Sequence, residues 1–270
     1  MFKKWIQIGS LALCMLSALV QAAERPFFVF ASNWDKAAAD VAAQYAEDGD
    51  MLFSAISRHP QKAEKMRNPM RFALPASLKT VAKRSSETCA TNGQFQVVIY
   101  NPEHWEATPK AELDALPISV SKAGDTVKQA GCRYFGVAPD GKLLGLPSTE
   151  CKGRPSELVN QIDWKRVDFI ILQAQRLLSD KCDSPSRVKD YAQFVHDWAE
   201  AVRRSNPSIK VVAQMSFRVS DPKTMTEAVK ATHDVVDGYY LAYPRSSGRL
   251  QCNYCSADNL KQFLTEFRKQ

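Results

Sequence analysis

The chain has 270 residues and a formal net charge of +7 at pH 7, from 36 lysines and arginines against 29 aspartates and glutamates. These basic residues are scattered along the chain. A nucleic-acid-binding protein would need them clustered on one face, so nucleic acid is not expected as a partner. The length is ample for a sizeable hydrophobic core.

The first 22 residues have the pattern of a secretory leader. Lys3 and Lys4 precede an apolar run over residues 6–20, which is too short for a typical membrane span. The small residues that end at Ala22 suit a signal peptidase, so we expect cleavage after this position. The mature protein would then be exported to the periplasm or the extracellular space.

Lipid anchoring at Cys14 is a rival interpretation of the leader. Leu13, directly before this cysteine, is larger than the small residue that such a site normally carries. No later stretch is long and apolar enough to hold the chain in a membrane. We therefore expect residues 23–270 to form a single domain without stable membrane insertion.

Six cysteines follow the leader, and an even number in an exported chain indicates disulfides. Fifteen connectivities are compatible with six cysteines. Proximity along the expected fold favours three pairs: Cys89 with Cys132, Cys151 with Cys182, and Cys252 with Cys255.

Short apolar runs alternate with helix-like segments along the mature chain. Strands are expected at residues 27–32, 51–56, 95–100, 132–138, 167–174, 209–216 and 238–243. Helices are expected at residues 36–47, 76–89, 111–130, 187–205, 222–233 and 257–269. This alternation is typical of repeated βα units and a parallel sheet.

Two of the expected strands carry polar residues toward their carboxyl ends, which favours a closed α/β barrel of TIM type over an open sheet. These residues are Gln173 and Gln175, followed by Gln214, Ser216 and Arg218. Inward residues near the top of a barrel line the floor of an active site, whereas an open sheet is covered by helices on both faces. Seven strands are found, so either the stretch 57–94 hides an eighth or the barrel is irregular.

Residues 94–109 are the candidate functional centre. The apolar strand 95–100 ends at Asn101-Pro102, after which Glu103, His104 and Trp105 follow at once. In parallel α/β folds this end of the sheet is where ligands bind and where catalytic groups lie. Glu103 is the candidate general acid, although a loop glutamate can also be an ordinary solvated side chain.

Other expected strand ends add aromatic, amide and charged groups to the same edge. Such groups suit a sugar, whose ring stacks on aromatic faces and whose hydroxyls need directional partners. The proposed substrate-binding residues are Trp34, Asp35, Tyr100, His104, Trp105, Gln173, Gln175, Ser216, Arg218 and Arg245.

Most glycoside hydrolases use two carboxylates, and a partner for Glu103 is harder to find. Asp140 ends an expected strand, although Pro-Asp-Gly is also ordinary turn chemistry. Asp35 is a second possibility. Otherwise the acetamido group of the substrate could act, oriented by Tyr243 or Gln175. Asp140 and Tyr243 are accordingly proposed as catalytic residues beside Glu103.

No cofactor or metal is expected. The four histidines are scattered and no HExxH spacing occurs, which argues against a metal centre. No glycine-rich loop follows a strand, and no G-x-S-x-G elbow marks a serine nucleophile. The C-x-x-C at Cys252 and Cys255 could be a redox pair at the start of a helix, but its place after the last strand favours a structural disulfide.

Four strand-end phrases resemble secreted bacterial proteins with a TIM-barrel, glycoside-hydrolase-like fold. The phrases lie at residues 100–105, 167–175, 214–218 and 237–244. The resemblance covers roughly residues 95–265 and implies a barrel with its pocket at the carboxyl ends of the strands. The late strands carry no glutamate, which departs from the common two-glutamate hydrolases.

The leading hypothesis is an exported, glycan-active barrel with Glu103 as general acid and a carbohydrate or other envelope polymer as partner. A non-catalytic envelope barrel that binds a glycan or a protein through the same pocket is the alternative. A thiol-disulfide enzyme that uses Cys252 and Cys255 is the third hypothesis.

Overall fold

The computed structural model describes residues 27–30, 36–47, 50–53, 70–89, 95–147, 151–182, 186–243 and 252–268. The expected leader, residues 1–22, lies outside these ranges. So do Trp34, Asp35 and Arg245, three of the proposed substrate-binding residues. Within the ranges, no helix combines the length and the apolar character needed to cross a membrane.

Eight parallel strands within these ranges close into a barrel, in which each strand pairs with the next and the last pairs with the first. The strands are β1 (Phe27–Phe30), β2 (Met51–Phe53), β3 (Met70–Ala73), β4 (Phe95–Tyr100), β5 (Tyr134–Val137), β6 (Phe169–Leu172), β7 (Lys210–Ser216) and β8 (Gly238–Ala242). The predicted α/β barrel is confirmed.

The eighth strand is β3, which lies in the stretch 57–94, where no clear strand pattern was found. It has only four residues, and a charged residue, Arg71, interrupts its apolar character. Pairing with β2 and β4 therefore determines this strand more than its own composition does.

Helices follow the strands on the outside of the barrel. They are α1 (Lys36–Tyr45), α2 (Leu78–Cys89), α3 (Lys110–Asp114), α4 (Leu116–Gln129), α5 (Gly141–Leu144), α6 (Leu158–Gln161), α7 (Arg187–Ser205), α8 (Pro222–Lys230) and α9 (Ala257–Phe267). The helix expected at 111–130 is divided into α3 and α4. Pro117 has no N–H to bond the carbonyl of Leu113, which favours the end of one helix and the start of the next at this point.

Side chains alternate between the barrel interior and the layer under the helices. The interior is filled by Val29, Met51, Phe72, Val97, Ile99, Ala138, Phe169, Ile171, Val212 and Tyr240. Gly136 makes room for one of them, because a Cβ there would lie within 2.8 Å of three ring carbons of Phe169. The strand neighbours of these residues, such as Phe28 and Val98, belong to the outer layer.

Aspartates join strands at the amino end of the barrel. Asp50, just before β2, accepts a hydrogen bond from the Phe28 N–H of β1 at 2.7 Å. Asp168, before β6, accepts one from Phe135 of β5 at 2.7 Å, and Asp237, before β8, accepts one from Val211 of β7 at 2.8 Å. Hydrogen bonds of this kind therefore join three pairs of adjacent strands, β1–β2, β5–β6 and β7–β8, at the end opposite the candidate site.

Asp50 is the most buried of these carboxyl groups. Burial raises its pKa above the ordinary value, and bonds from Phe28, Glu47 and Arg268 offset this only in part. Arg268, near the end of the described chain, reaches it at 2.7 Å. The buried carboxyl group of Asp50 therefore needs these hydrogen-bond donors, and the donors need Asp50 as their acceptor.

The described cysteines form three disulfides, Cys89–Cys132, Cys151–Cys182 and Cys252–Cys255, with Cα–Cα distances of 5.0, 5.4 and 5.5 Å. These are the three pairs expected from the sequence. The first joins the end of α2 to the segment before β5, and the last lies just before α9.

We expect Asp50→Ala to lower the free energy of unfolding by about 3 kcal/mol, because it leaves buried donors without an acceptor. Urea denaturation measures this change. Asp163→Ala is the matched control: Asp163 pairs with Arg166 at 3.1 Å while both side chains are about half exposed, so its removal should cost less than about 1 kcal/mol. Equal losses in the two variants would contradict the role given to Asp50.

Candidate functional site

The loop after β4 is tied to both neighbouring strands. The backbone N–H of Asn101 donates to the Pro75 carbonyl at 2.8 Å, on the β3 side. On the β5 side, the N–H of Asp140 donates to the Pro102 carbonyl at 3.1 Å. Since Pro102 offers no N–H of its own, its carbonyl is the group available for this bond.

Thr108 closes the same loop on itself. Its Oγ1 accepts a hydrogen bond from the Glu103 N–H at 3.1 Å and donates to the Ala76 carbonyl at 2.8 Å. Thr108 is buried, and Ala76 belongs to the segment between β3 and α2. The backbone that carries Glu103 is therefore held in one position.

The polar cluster at the barrel mouth consists of Asn101, Glu103 and Gln173. Asn101 Nδ2 donates to Glu103 Oε1 at 2.8 Å. Gln173 Nε2 reaches across from the end of β6 to the Ala138 carbonyl at 2.9 Å, to Asn101 Oδ1 at 3.0 Å and to Glu103 Oε1 at 3.3 Å. Because Gln173 has two N–H groups for three acceptors, one of these N–H groups is shared between two acceptors.

The two oxygens of Glu103 differ in their surroundings. Oε1 accepts from two side-chain amides, whereas Oε2 has no hydrogen-bond partner within the described part of the chain. The two amide N–H groups need Oε1 as their acceptor. The polar cluster thus leaves one defined oxygen for a ligand.

Further polar groups come from β7 and β8. Gln214 and Ser216 are buried, and they stand two and four residues after Val212 on the inward side of β7. Tyr240 of β8 is opposite Gln214 in the strand register. Their strands bring these groups toward the same interior as the polar cluster.

Tyr240 is close enough to Glu103 for their charges to interact. Burial raises the pKa of the Tyr240 phenol well above its ordinary value, and the negative charge of Glu103 raises it further. The phenol therefore stays neutral and can donate a hydrogen bond at any physiological pH.

His104 and Asp140 form a second polar pair beside the cluster. Asp140 Oδ2 lies 2.7 Å from His104 Nδ1 and also accepts the His104 backbone N–H at 2.7 Å. Asp140 Oδ1 accepts the Leu143 N–H at 2.9 Å as the N-cap of α5. Both oxygens of Asp140 are therefore engaged, although the sequence suggested this residue as a catalytic carboxylate.

Two tyrosines proposed for the site lie elsewhere, and their placement is corrected. Tyr100 is buried in the outer layer, where its hydroxyl donates to Glu112 Oε2 at 2.9 Å. Tyr243 is buried in the same layer, with its ring centroid 5.8 Å from that of Phe217. Both residues are at positions whose side chains point out of the barrel, so neither side chain lines the interior.

The remaining proposed residues lie around the mouth. Trp105 is 52% exposed, and Arg218 is exposed while its N–H donates to Ser216 Oγ at 3.2 Å. Gln175 begins a short 3-10 helix after β6. Its buried Oε1 has no hydrogen-bond partner among the described residues.

The Cys252–Cys255 disulfide is packed against the end of β7. The backbone N–H of Tyr254 donates to the Phe217 carbonyl at 3.2 Å, and the Tyr254 hydroxyl donates to Asp180 at 3.1 Å. The described residues contain no group of histidine, cysteine and acidic side chains that could hold a metal ion.

Asn101, Thr108 and Tyr240 were not identified from the sequence. Val97 and Ile99 point into the barrel, so the alternation of side chains along the strand predicts that Asn101 points inward too. Tyr240 pairs with the inward Gln214, so it could have been identified once the register of β7 and β8 was known. Thr108 is harder to identify, since one of its two partners, the Ala76 carbonyl, is 32 residues away.

No protein-family model matches the chain, and no curated protein matches it. Among solved structures, a sugar phosphate isomerase/epimerase from Parabacteroides distasonis is 12% identical with a TM-score of 0.48, and the alignment covers 93% of this chain and 96% of that one. KGPDC from Streptococcus mutans is 11% identical with a TM-score of 0.47, over 91% and 99% of the two chains.

The flavin-binding domain of baker's yeast flavocytochrome b2 gives similar values. It is 12% identical with a TM-score of 0.48, and the alignment covers 90% of this chain and 63% of that one. Likenesses of this degree carry no argument about activity. The barrel assignment rests on the strand pairing of this chain itself.

Tyr240→Phe tests the buried phenol. A tyrosine whose folded pKa is raised contributes stability below about pH 10, and this contribution is lost as the pH rises further. We therefore expect the free energy of unfolding to fall less steeply above pH 10 in Tyr240→Phe, by about 1.4 kcal/mol per pH unit. Urea denaturation between about pH 9 and 11 measures both slopes, and parallel slopes would contradict the burial of Tyr240.

Proposed function

We propose that this chain is an exported, glycan-active protein, a glycoside-hydrolase-like barrel in which Glu103 is the general acid. The observation that carries the proposal is the polar cluster of Asn101, Glu103 and Gln173 at the carboxyl ends of β4 and β6. This end of a parallel barrel is where active sites are built.

The polar cluster is costly to keep for stability alone. Polar groups lose hydration when they are buried, and a hydrogen bond returns only about 1 kcal/mol net. Well-packed apolar side chains would fill this interior as they do in the layer below, where Ile99 and Ile171 lie. A network of amides around one carboxyl group therefore supports a binding or catalytic role.

The groups at the mouth suit the chemistry of a sugar. Amides and the hydroxyl of Ser216 can each donate and accept, as sugar hydroxyls require. Tyr240 adds a neutral phenol donor, and the exposed Trp105 offers an aromatic face on which a ring could stack.

Catalysis would begin with a proton on Glu103 Oε2. That proton passes to the glycosidic oxygen as the bond to the anomeric carbon breaks. Asn101 and Gln173 hold the other oxygen throughout, so the carboxyl group keeps its orientation when it becomes an anion. The carboxylate left behind is stabilised by the same two amides.

Export remains part of the proposal. It rests on the leader-like residues 1–22, and three disulfides are typical of proteins that fold in an oxidising compartment. The expected partner is a carbohydrate or another polymer of the cell envelope.

One observation favours the non-catalytic alternative. Asp140 was proposed as a catalytic carboxylate beside Glu103. Its two oxygens already accept hydrogen bonds from His104 and Leu143. A barrel whose proposed second carboxylate is already engaged could bind a glycan without cutting it. The two functions differ in whether bonds are broken, which an activity assay decides.

We expect the mature protein to release reducing ends from at least one glycan in a panel of envelope and exopolysaccharide substrates. Glu103→Gln should lower kcat by about 10²- to 10⁴-fold while glycan binding is retained, because the amide preserves the shape and loses the proton. Reducing-end assays and isothermal titration calorimetry measure the two properties.

Glu106→Gln is the matched control, since Glu106 is exposed in the same loop and should leave kcat unchanged. Equal binding of one glycan to wild type and Glu103→Gln, with no release by either, would replace the hydrolase with the non-catalytic barrel. Equal release by both proteins would remove Glu103 from the mechanism.

A further inference from the structure

We propose that His104 is a second catalytic residue, a general base whose ring is positioned by Asp140. The inference rests on the proposed function, because it names the group that would activate the attacking water. It also supplies a base in place of Asp140, whose two oxygens are both engaged.

His104 is held by Asp140 at two points, one on its ring and one on its backbone. Its Nδ1 and its own backbone N–H both lie 2.7 Å from the same oxygen of Asp140. Asp140 is in turn fixed by the Leu143 N–H on its other oxygen and by its own N–H on the Pro102 carbonyl. A surface histidine with a chance neighbour would not have this many restraints.

The pairing determines which ring nitrogen is available. An ionised carboxylate only accepts hydrogen bonds, so Nδ1 must carry the proton in the bond to Asp140. In the neutral ring Nε2 is then left with a free lone pair. The His104 side chain is 38% exposed and the Asp140 side chain 18%, so solvent and substrate can reach the ring while its partner is largely covered.

Position places this base beside the acid. Glu103 and His104 are consecutive, and the bonds from Asp140 to Pro102 and His104 hold the segment on either side of Glu103. The loop therefore presents a proton donor and a proton acceptor from one rigid support. A single short segment supplies both groups that hydrolysis requires.

The proposed step balances as follows. A water molecule gives one proton to His104 Nε2, and its oxygen forms a bond to the anomeric carbon. The bond from that carbon to the glycosidic oxygen breaks, and the leaving oxygen takes the proton of Glu103. Transfer of the proton from His104 to Glu103 through solvent restores the starting state, so one water is consumed for each bond.

Two variants separate a catalytic from a structural role. His104→Ala removes the base, so we expect kcat to fall about 10²- to 10⁴-fold with little change in KM, and added imidazole to restore part of the rate.

Asp140→Asn keeps an N-cap for α5, but its amide can donate to Nδ1 and so favours the proton on Nε2. His233→Ala is the control, since His233 is exposed after the end of α8, where its Nδ1 lies 3.0 Å from the Lys230 carbonyl.

The tautomer can be measured without any assay of activity. ¹⁵N NMR of the imidazole at about pH 8 should show a protonated Nδ1 and an unprotonated Nε2 in the wild type, and a shift of the proton toward Nε2 in Asp140→Asn. A wild-type ring with its proton on Nε2 would overturn the proposal, because that nitrogen could not accept a proton.

The outcomes distinguish this inference from the proposed function. Release that is lost in Glu103→Gln but unchanged in His104→Ala would overturn the role of His104 alone. A slower His104→Ala without any rescue by imidazole would make the residue structural and equally overturn it. No release by the wild type would overturn the function and the role together, whereas rescue with the expected tautomer supports both.

Discussion

The alternation of side chains in a closed parallel barrel is the constraint on which the rest of this structure depends. Closure leaves each strand residue either inside the barrel or under the helices. This choice directs Asn101, Gln173 and Tyr240 toward a common interior and removes Tyr100 and Tyr243 from it. Whether a residue lines the mouth of the barrel therefore depends on whether its position in the strand faces inward or outward.

The two ends of the barrel divide their tasks. At the amino end, aspartates such as Asp50 accept backbone N–H groups of neighbouring strands and stabilise the barrel. At the carboxyl end, the loop after β4 is tied to its neighbours by Asn101, Pro102 and Thr108. A functional loop on a rigid support can hold reactive groups in place, which a mobile loop cannot.

Much of the fold could be predicted from the sequence, because strand composition, helix periodicity and cysteine spacing are local signals. The division at Pro117 was missed, since it depends on a single missing N–H. The strand β3 was expected only as one that the stretch 57–94 could hide, since its neighbours determine it. The segment around Glu103 was found, but its contacts join residues far apart in the chain. Gln173 is 70 residues from Glu103, and no spacing rule predicts that they meet.

A crystal structure of the Glu103→Gln variant with a bound oligosaccharide would test the central claim most directly. The account predicts a glycosidic oxygen within hydrogen-bond distance of the side chain at position 103, with His104 Nε2 facing the anomeric carbon. An oligosaccharide bound away from the strand carboxyl ends, with no sugar atom near Asn101, Gln173 or position 103, would contradict it.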